Sequence, residues 1–290
     1  MTKSQKVISA EMLSEYAEAF RCPYCEGSLK VVALKSLECP NNHSFDIAKQ
    51  GYVNLMTRPL NSNYGKELFQ ARQEIVMGSC LYAPLHDRIS KVIECRREIS
   101  SHPFVILDAG CGEGSHLQSI LDMNGNAAGV GLDISKEGIV MAAKKYKNPI
   151  WLVGDLAKSP LGDQSVHVIL NLFSPSNYKE FKRSLKSNGL VIKVVPRSNY
   201  LKELREAFFV DADKRSFNNE DTVSLFKKHF HLSDVTSLCY TKYLNKDELG
   251  NLVQMSPLSW TSEQKHRDAL IRQGDAEITI DIDILVGLNK

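Results

Sequence analysis

The sequence predicts an α/β protein with an open, doubly wound, mostly parallel sheet and a small metal-stabilised module at its N-terminus. Three observations carry this reading. An apolar run, Val105-Ile-Leu-Asp-Ala109, breaks into Gly110-x-Gly112-x-Gly114 and gives way to a helical pattern. Further apolar runs follow at intervals filled by helical patterns, in the order expected of βαβ units. Before all of these lie Cys22-Pro-Tyr-Cys25, Cys39 and His43, a C-x2-C, a gap of thirteen residues and a C-x3-H.

The glycine loop is the first element. Glycine takes positive φ and lets backbone approach a ligand, and the following helix offers free N–H donors. A Gly-rich turn after a strand also suits dinucleotides, so spacing alone does not choose the ligand. The charges do. Asp108 stands at the strand end before the glycines and Glu113 lies inside the loop. Two carboxylates repel a pyrophosphate and attract a sulfonium with its methionine ammonium. The expected cofactor is therefore S-adenosylmethionine, and the fold class a class I (Rossmann-like) methyltransferase.

The next strands extend the pattern. Ala127–Asp133 reads as a second strand whose terminal Asp133 is placed to accept ribose hydroxyls. Ile150–Leu156 reads as a third, with Asp155 a candidate acceptor for the adenine amino group and Leu156 beside it. Val166–Phe173 and Gly189–Val195 make a fourth and a fifth, nearly continuous in apolar character as parallel strands covered on both faces should be. Helices are expected over Lys136–Lys147 and Lys179–Lys186. At the C-terminus, His231–Tyr243 and Glu277–Gly287 alternate and should complete the sheet. There Ile278, Ile280, Ile282 and Ile284 share one face, and Asp281 and Asp283 fall on the other, expected in solvent.

Cys22, Cys25, Cys39 and His43 supply four tetrahedral ligands from two knuckles, the spacing of a structural zinc site. With every position filled by protein there is no open place for a reactive water. The other cysteines, Cys80, Cys95, Cys111 and Cys239, lack ligand spacing and are expected to be buried small apolar groups. Seven cysteines used this way indicate a reducing, cytoplasmic setting. The first ten residues lack the apolar stretch of an export signal, and no run reaches membrane-span length.

At 290 residues, 43% hydrophobic and 24% charged, the chain has the make-up of an ordinary globular protein with one large and one small unit. A net charge of +2 says little about partners. Lysine and arginine cluster at 144–147, 179–186 and 193–205, either as solvated faces or as a surface for a polyanion. Between the modules, helices are expected over Lys66–Ile75 and Leu85–Ile99, a loop over Asn61–Gly65, and a position for the whole segment over the cofactor crevice.

Together Cys-x2-Cys…Cys-x3-His, FDIAKQGYVNL, FQAR, LDAGCGEG, GLDIS, FSPSNYKEFKR and LVQMSPLSW resemble the RlmA family of 23S ribosomal RNA guanine-N1 methyltransferases. The resemblance runs from about Phe20 to the C-terminus and is nearest the Gram-positive subgroup that includes the tylosin-resistance enzymes. It implies methylation of guanine 748 rather than 745, in hairpin 35 of domain II, by a zinc-bearing homodimer. Macrolide resistance is a consequence such a modification can have, and one that sequence does not establish. The resemblance also implies a zinc-binding, RNA-recognising domain over 1–60, a helical linker or lid over 61–100 and a methyltransferase domain over 101–290.

Carried over by position, Cys22, Cys25, Cys39 and His43 match the family's zinc ligands, Gly112 and Glu113 its loop contacts, and Tyr82 a cofactor-contacting tyrosine. Tyr200 stands where relatives present a histidine to the cofactor. Ser115-His116 replaces aromatics found after the loop in relatives. Asn171, before Phe-Ser-Pro-Ser, falls where such enzymes hold the target base, and Phe173 and Tyr178 are either stacking partners for guanine or core. Leu252–Trp260 is expected to form a lid or helix beside the base pocket.

The reaction requires a base out of its duplex, since N1 lies on the Watson–Crick edge, and removal of the N1 proton. The sequence singles out no residue for that proton. Two other readings share most of these features. A small-molecule methyltransferase with a zinc knob would keep the loop and lack RNA affinity, and a non-catalytic zinc-dependent RNA-binding protein would lack cofactor affinity.

Overall fold

The computed structural model describes residues 3–58, 64–97, 104–125, 127–209 and 218–289. Most of the expected loop at Asn61–Gly65 lies outside them. The N-terminal part holds helix α1 (Gln5–Glu15) and strands β1 (Lys30–Val32), β2 (Ser36–Glu38) and β3 (Ser44–Asp46), which form a three-stranded antiparallel sheet. Short strand β4 (Val53–Asn54) leaves that sheet and joins the large one.

The large sheet has eight strands, in the order β10-β11-β9-β8-β5-β6-β7-β4. Strands β5 (Phe104–Ala109), β6 (Ala127–Asp133), β7 (Ile150–Val153), β8 (Val166–Leu172) and β9 (Leu185–Pro196) run parallel. Strands β10 (His231–Leu244) and β11 (Ala276–Leu288) pair antiparallel, and β11 meets β9 antiparallel. The order reverses between β5 and β8, so the carboxyl ends of those strands open a crevice beside the glycine loop.

Alternation along each strand feeds two cores. Ile106 and Trp151 face one side of the sheet, and Val105, Leu107, Ile150 and Leu152 the other. Helices α2 (Lys66–Gln73), α3 (Ala83–Arg97), α4 (Ser115–Met123), α5 (Lys136–Lys145), α6 (Tyr178–Ser184), α7 (Lys202–Phe208), α8 (Glu220–His229), α9 (Lys246–Met255) and α10 (Gln264–Arg272) cover these faces. Their ends follow local chemistry. The Ser135 hydroxyl accepts from the Gly138 N–H at the start of α5, and Lys144 and Lys145 sit in its negative last turn. At α9, Asn245 and Glu248 form a capping box.

The zinc-ligand module shares the second core. Phe20, Leu37, Phe45 and Ile47 are buried in one cluster with Leu132, Leu152 and Leu161 of the sheet side. Backbone stitches the two together, the Arg21 N–H donating to the Pro160 carbonyl at 2.8 Å and the Gly162 N–H to the Ala19 carbonyl at 2.8 Å. A segment too small for its own core therefore borrows one.

Several expectations are corrected. Cys80, Cys95 and Cys239 are exposed, and only Cys111 of the four is buried. Cys80 occupies a left-handed turn (φ 53°), and Cys239 lies on β10, an edge strand of the large sheet. Asp281 is buried rather than solvated: β11 is an inner strand, and Arg197 reaches over it to place Nη1 3.0 Å from Asp281 Oδ1. Asp283 accepts from Ser237 and Asn219. The four isoleucines of β11 are all buried on one face, as their alternation required. Tyr178 is core, packed on Phe181, Phe226 and Phe230. Among the described residues no helix is long and apolar enough to cross a membrane.

One strand glycine, Gly131, exists because Trp151 needs its space. A Cβ at Gly131 would stand 2.3 Å from the Trp151 ring and 3.0 Å from Cys111 Sγ, in a packed interior with no flexible neighbour to yield. Gly131→Ala should therefore destabilise the fold by about 3 kcal/mol in urea unfolding. A change below about 0.5 kcal/mol would mean that the indole moves freely and that this layer is not close-packed.

Candidate functional site

The metal cluster is built by β-turn knuckles on either side of the three-stranded sheet. Ligand atoms of Cys22, Cys25, Cys39 and His43 all lie within 4.8 Å of one another. Cys25 Sγ and Cys39 Sγ are 3.5 Å apart, and His43 Nδ1 is 3.5 Å from Cys22 Sγ and 3.3 Å from Cys39 Sγ. Metal–sulfur bonds of about 2.3 Å in a tetrahedron set edges of about 3.8 Å, so the donor set fits Zn²⁺. The Gly27 N–H draws the Cys25 thiol down to about 6, preparing a thiolate, and His43 lies against the Tyr24 ring with centroids 5.0 Å apart.

The second site lies at the carboxyl ends of β5, β6 and β8. Gly110, Gly112 and Gly114 have φ of 83°, 59° and 81°, which side chains with a Cβ adopt only under strain. The Gly112 N–H donates to Asp133 Oδ2 at 2.8 Å, and the Ser135 N–H to Asp133 Oδ1 at 2.7 Å. A carboxylate at the end of β6 thus fixes the loop from the next strand.

Three acids meet here. Burial raises the Asp133 carboxyl, and it pushes Asp108, 2% exposed, up to about 7. Glu113 is fully buried, and neither of its oxygens has a hydrogen-bond partner. Orphaned buried carboxylate oxygens call for a donor-rich cation. The site therefore fits a ligand with an ammonium and a sulfonium and repels a pyrophosphate. Arg72, from α2, stands 3.2 Å from Glu113 Oε2 and 3.4 Å from the Cys111 carbonyl.

Aromatic rings close one side. Tyr82 and Tyr200 share a hydrogen bond between hydroxyls at 2.7 Å, and Phe173 stacks on Tyr200 with centroids 5.5 Å apart. Phe173 has φ 55°, a costly conformation for a bulky residue and one found at functional turns. Beneath Tyr82, His86 Nε2 and His116 Nδ1 are 2.7 Å apart in a buried pair, and burial holds His86 down at about 4, so the pair is neutral. Asn171 is fully buried inside the turn. Its amide nitrogen donates to Ser174 and Pro175, and its oxygen accepts from Ser176 and from Lys193 Nζ at 2.7 Å.

Asp155 and Leu156 stand at the end of β7, the Asp155 side chain accepting from the Ala157 N–H at 2.7 Å. Both line a cavity of about 400 Å³ shared with Asn177, Tyr178 and His229. The structure thus gathers Tyr82, Asp108, Gly110, Gly112, Glu113, Gly114, Asp133, Asn171 and Tyr200 around one crevice. Arg72, the histidine pair and Lys193 escaped sequence reasoning. Arg72 stood in the quoted FQAR element, whose spacing gave no hint of its target forty residues on.

Fold and site define a class I methyltransferase carrying a zinc ribbon. The zinc-ribbon family model "RlmA, N-terminal" matches residues 20–61, and a methyltransferase domain model matches residues 106–189. The chain is 42% identical over 280 residues to YxjB of Bacillus subtilis (strain 168), covering 93% of this chain and 96% of that protein. YxjB carries a provisional name as a 23S rRNA (guanine-N(1)-)-methyltransferase. The chain is 31% identical over 269 residues to the 23S rRNA (guanine(748)-N(1))-methyltransferase of Streptomyces fradiae, covering 92% and 95%. It belongs to the RlmA family of 23S rRNA guanine-N1 methyltransferases.

Two outcomes follow from this geometry. Purified protein should hold one zinc per chain, and stripping it with a chelator should lower the melting temperature by about 5–10 °C, because the ribbon's core is also the sheet's. An unchanged melting temperature in metal-free protein would mean that the module folds without its ion. The second outcome concerns Asp108. Its folded carboxyl titrates near 7 against an ordinary 3.8, so the native state keeps a proton that the unfolded chain has lost. Its contribution to stability is present at low pH and lost as pH rises from about 4 to about 7. Asp108→Asn should therefore stabilise the cofactor-free protein at pH 8 by on the order of 2 kcal/mol and leave it near wild type at pH 4. A pH-independent difference in urea unfolding would remove burial as the cause.

Proposed function

We propose that the chain methylates N1 of guanine 748 in hairpin 35 of domain II of 23S rRNA, using S-adenosylmethionine. The observation that carries this reading is the likeness to the guanine 748 enzyme, which takes in the zinc module and the glycine loop and covers 95% of that protein. The domain roles are residues 1–60 for RNA recognition, 61–100 as linker and lid, and 101–290 for catalysis. The protein acts in the cytoplasm, where its substrate is made, and as a homodimer.

Within the crevice, Asp133 receives the ribose hydroxyls, and Asp155 and Leu156 the adenine edge. Gly110, Gly112 and Gly114 bring backbone to the cofactor. Asp108 and Glu113 face its positive charges, and Tyr82 and Tyr200 bound the methionine end. Asn171, its amide saturated within the turn, holds the shape of Phe173–Ser176 rather than reaching a ligand. Bound S-adenosylmethionine supplies a methyl group already activated by its sulfonium. The protein's work is to take guanine out of its stack, align N1 with the methyl carbon and sulfur, and accept the N1 proton. Phe173, partly buried against Tyr82 and Tyr200 on a left-handed turn, offers the stacking surface.

The test is incubation of a hairpin-35 transcript and of whole 23S rRNA with enzyme and cofactor, followed by reverse transcription, which an N1 methyl arrests. A stop at guanine 748 is expected. A stop at 745 would overturn the subgroup assignment alone. No stop on either RNA, with cofactor bound, would contradict the RNA reading.

A further inference from the structure

One charged side chain in the crevice has no part in the reading above. Arg72 reaches from α2 into the glycine loop, its side chain 17% exposed, with Nη1 3.2 Å from the fully buried Glu113. Its approach is close enough that a Cβ at Gly112 would lie 2.0 Å from Nη1, although it is the positive φ of 59° that calls for glycine there. Yet the guanidinium is not used up. Nη1 makes a long bond of 3.4 Å to the Cys111 carbonyl, Glu113 gains no hydrogen bond from it, and among the described residues Nε and Nη2 donate to nothing.

The charges of the cofactor explain a cation in this place. S-adenosylmethionine brings an ammonium and a sulfonium, which the three acids accommodate, but also a carboxylate. Entering a crevice lined by Asp108, Glu113 and Asp133, that carboxylate meets repulsion of about 4 kcal/mol from a like charge at about 4 Å. It needs a planar donor pair. Two other buried cations lie by the crevice: Lys193 is committed to Asn171 and Ser176 at 2.7 Å each, and Arg205 donates to the Ser198 carbonyl at 3.0 Å. Arg72 has Nε and Nη2 without a partner among the described residues, on a side chain that is 17% exposed.

We infer that Arg72 takes the methionine carboxylate of S-adenosylmethionine, and that α2 thereby senses whether the cofactor is bound. This deepens the cofactor assignment and rests on it. The field is consistent: the Arg72 charge opposes the upward push on both Asp108 and Asp133, so it already acts across the whole crevice. Because α2 packs on α5 and α9, a carboxylate drawn to Arg72 ties the segment between the modules to the far wall of the site.

The probe is decarboxylated S-adenosylmethionine, which keeps both positive charges and lacks the carboxylate. Calorimetric titrations compare it with S-adenosylmethionine on wild type, Arg72→Gln and Arg72→Lys, with circular dichroism confirming folding. Wild type should bind the decarboxylated ligand about 10- to 100-fold more weakly. Arg72→Gln should lose about the same factor for S-adenosylmethionine and change less than about threefold for the decarboxylated ligand, with Arg72→Lys intermediate. Equal losses for both ligands would make Arg72 a support for the loop and overturn the inference, as would wild-type affinity in Arg72→Gln. Should Arg72→Gln fail to fold, the wild-type ratio and Arg72→Lys decide by the same criteria. Wild type binding neither ligand would overturn the cofactor assignment, and this inference with it.

Discussion

Three carboxylates gathered at one edge of a parallel sheet, two of them buried, are the constraint around which this molecule is built. Asp108, Glu113 and Asp133 come from a strand end, a loop and the next strand end, the first two buried from water and the third partly so. Like charges so placed cost several kcal/mol unless a proton, a cation or a ligand joins them. The protein uses two of these remedies by itself. Asp108 holds a proton near neutral pH, and Arg72 leans in from α2. The third remedy is the cofactor, and the orphaned oxygens of Glu113 are where the arrangement is left incomplete.

The same need for closeness dictates the glycines. Gly112 admits Arg72, and Gly114 and Gly131 admit Trp151, whose ring fills the space between loop, strand and α5. Loop geometry and core packing are one problem here. The second face of the sheet answers a different one. A ribbon of three short strands cannot bury enough apolar surface to persist, so it is pinned by an ion on one side and by the sheet's own leucines on the other. Docking of that kind gives the zinc-ribbon module a fixed position relative to the sheet.

Much of this was legible in the sequence because local rules govern it. The succession of strands and helices, the metal cluster and the glycine loop follow from periodicity, ligand spacing and turn chemistry, each confined to a few residues. The failures share one cause, which is tertiary context. Asp281 reads as a solvent-facing residue of an alternating strand, and only the arrival of Arg197 over an inner strand buries it. Cys80 and Cys239 read as buried, and a left-handed turn and an edge strand expose them. His86 and His116 are thirty residues apart, and nothing in either neighbourhood announces that they touch. Arg72 belongs to the same class: its target is set by where α2 comes to rest.

Diffraction from crystals grown with S-adenosylmethionine tests the central claim most directly. The account predicts density in the crevice between β5, β6 and β8, with the ribose on Asp133, the ammonium against Glu113 and the adenine running toward Asp155 and Leu156. Cofactor bound in any other crevice, with no ligand donor on the Glu113 oxygens, would contradict it.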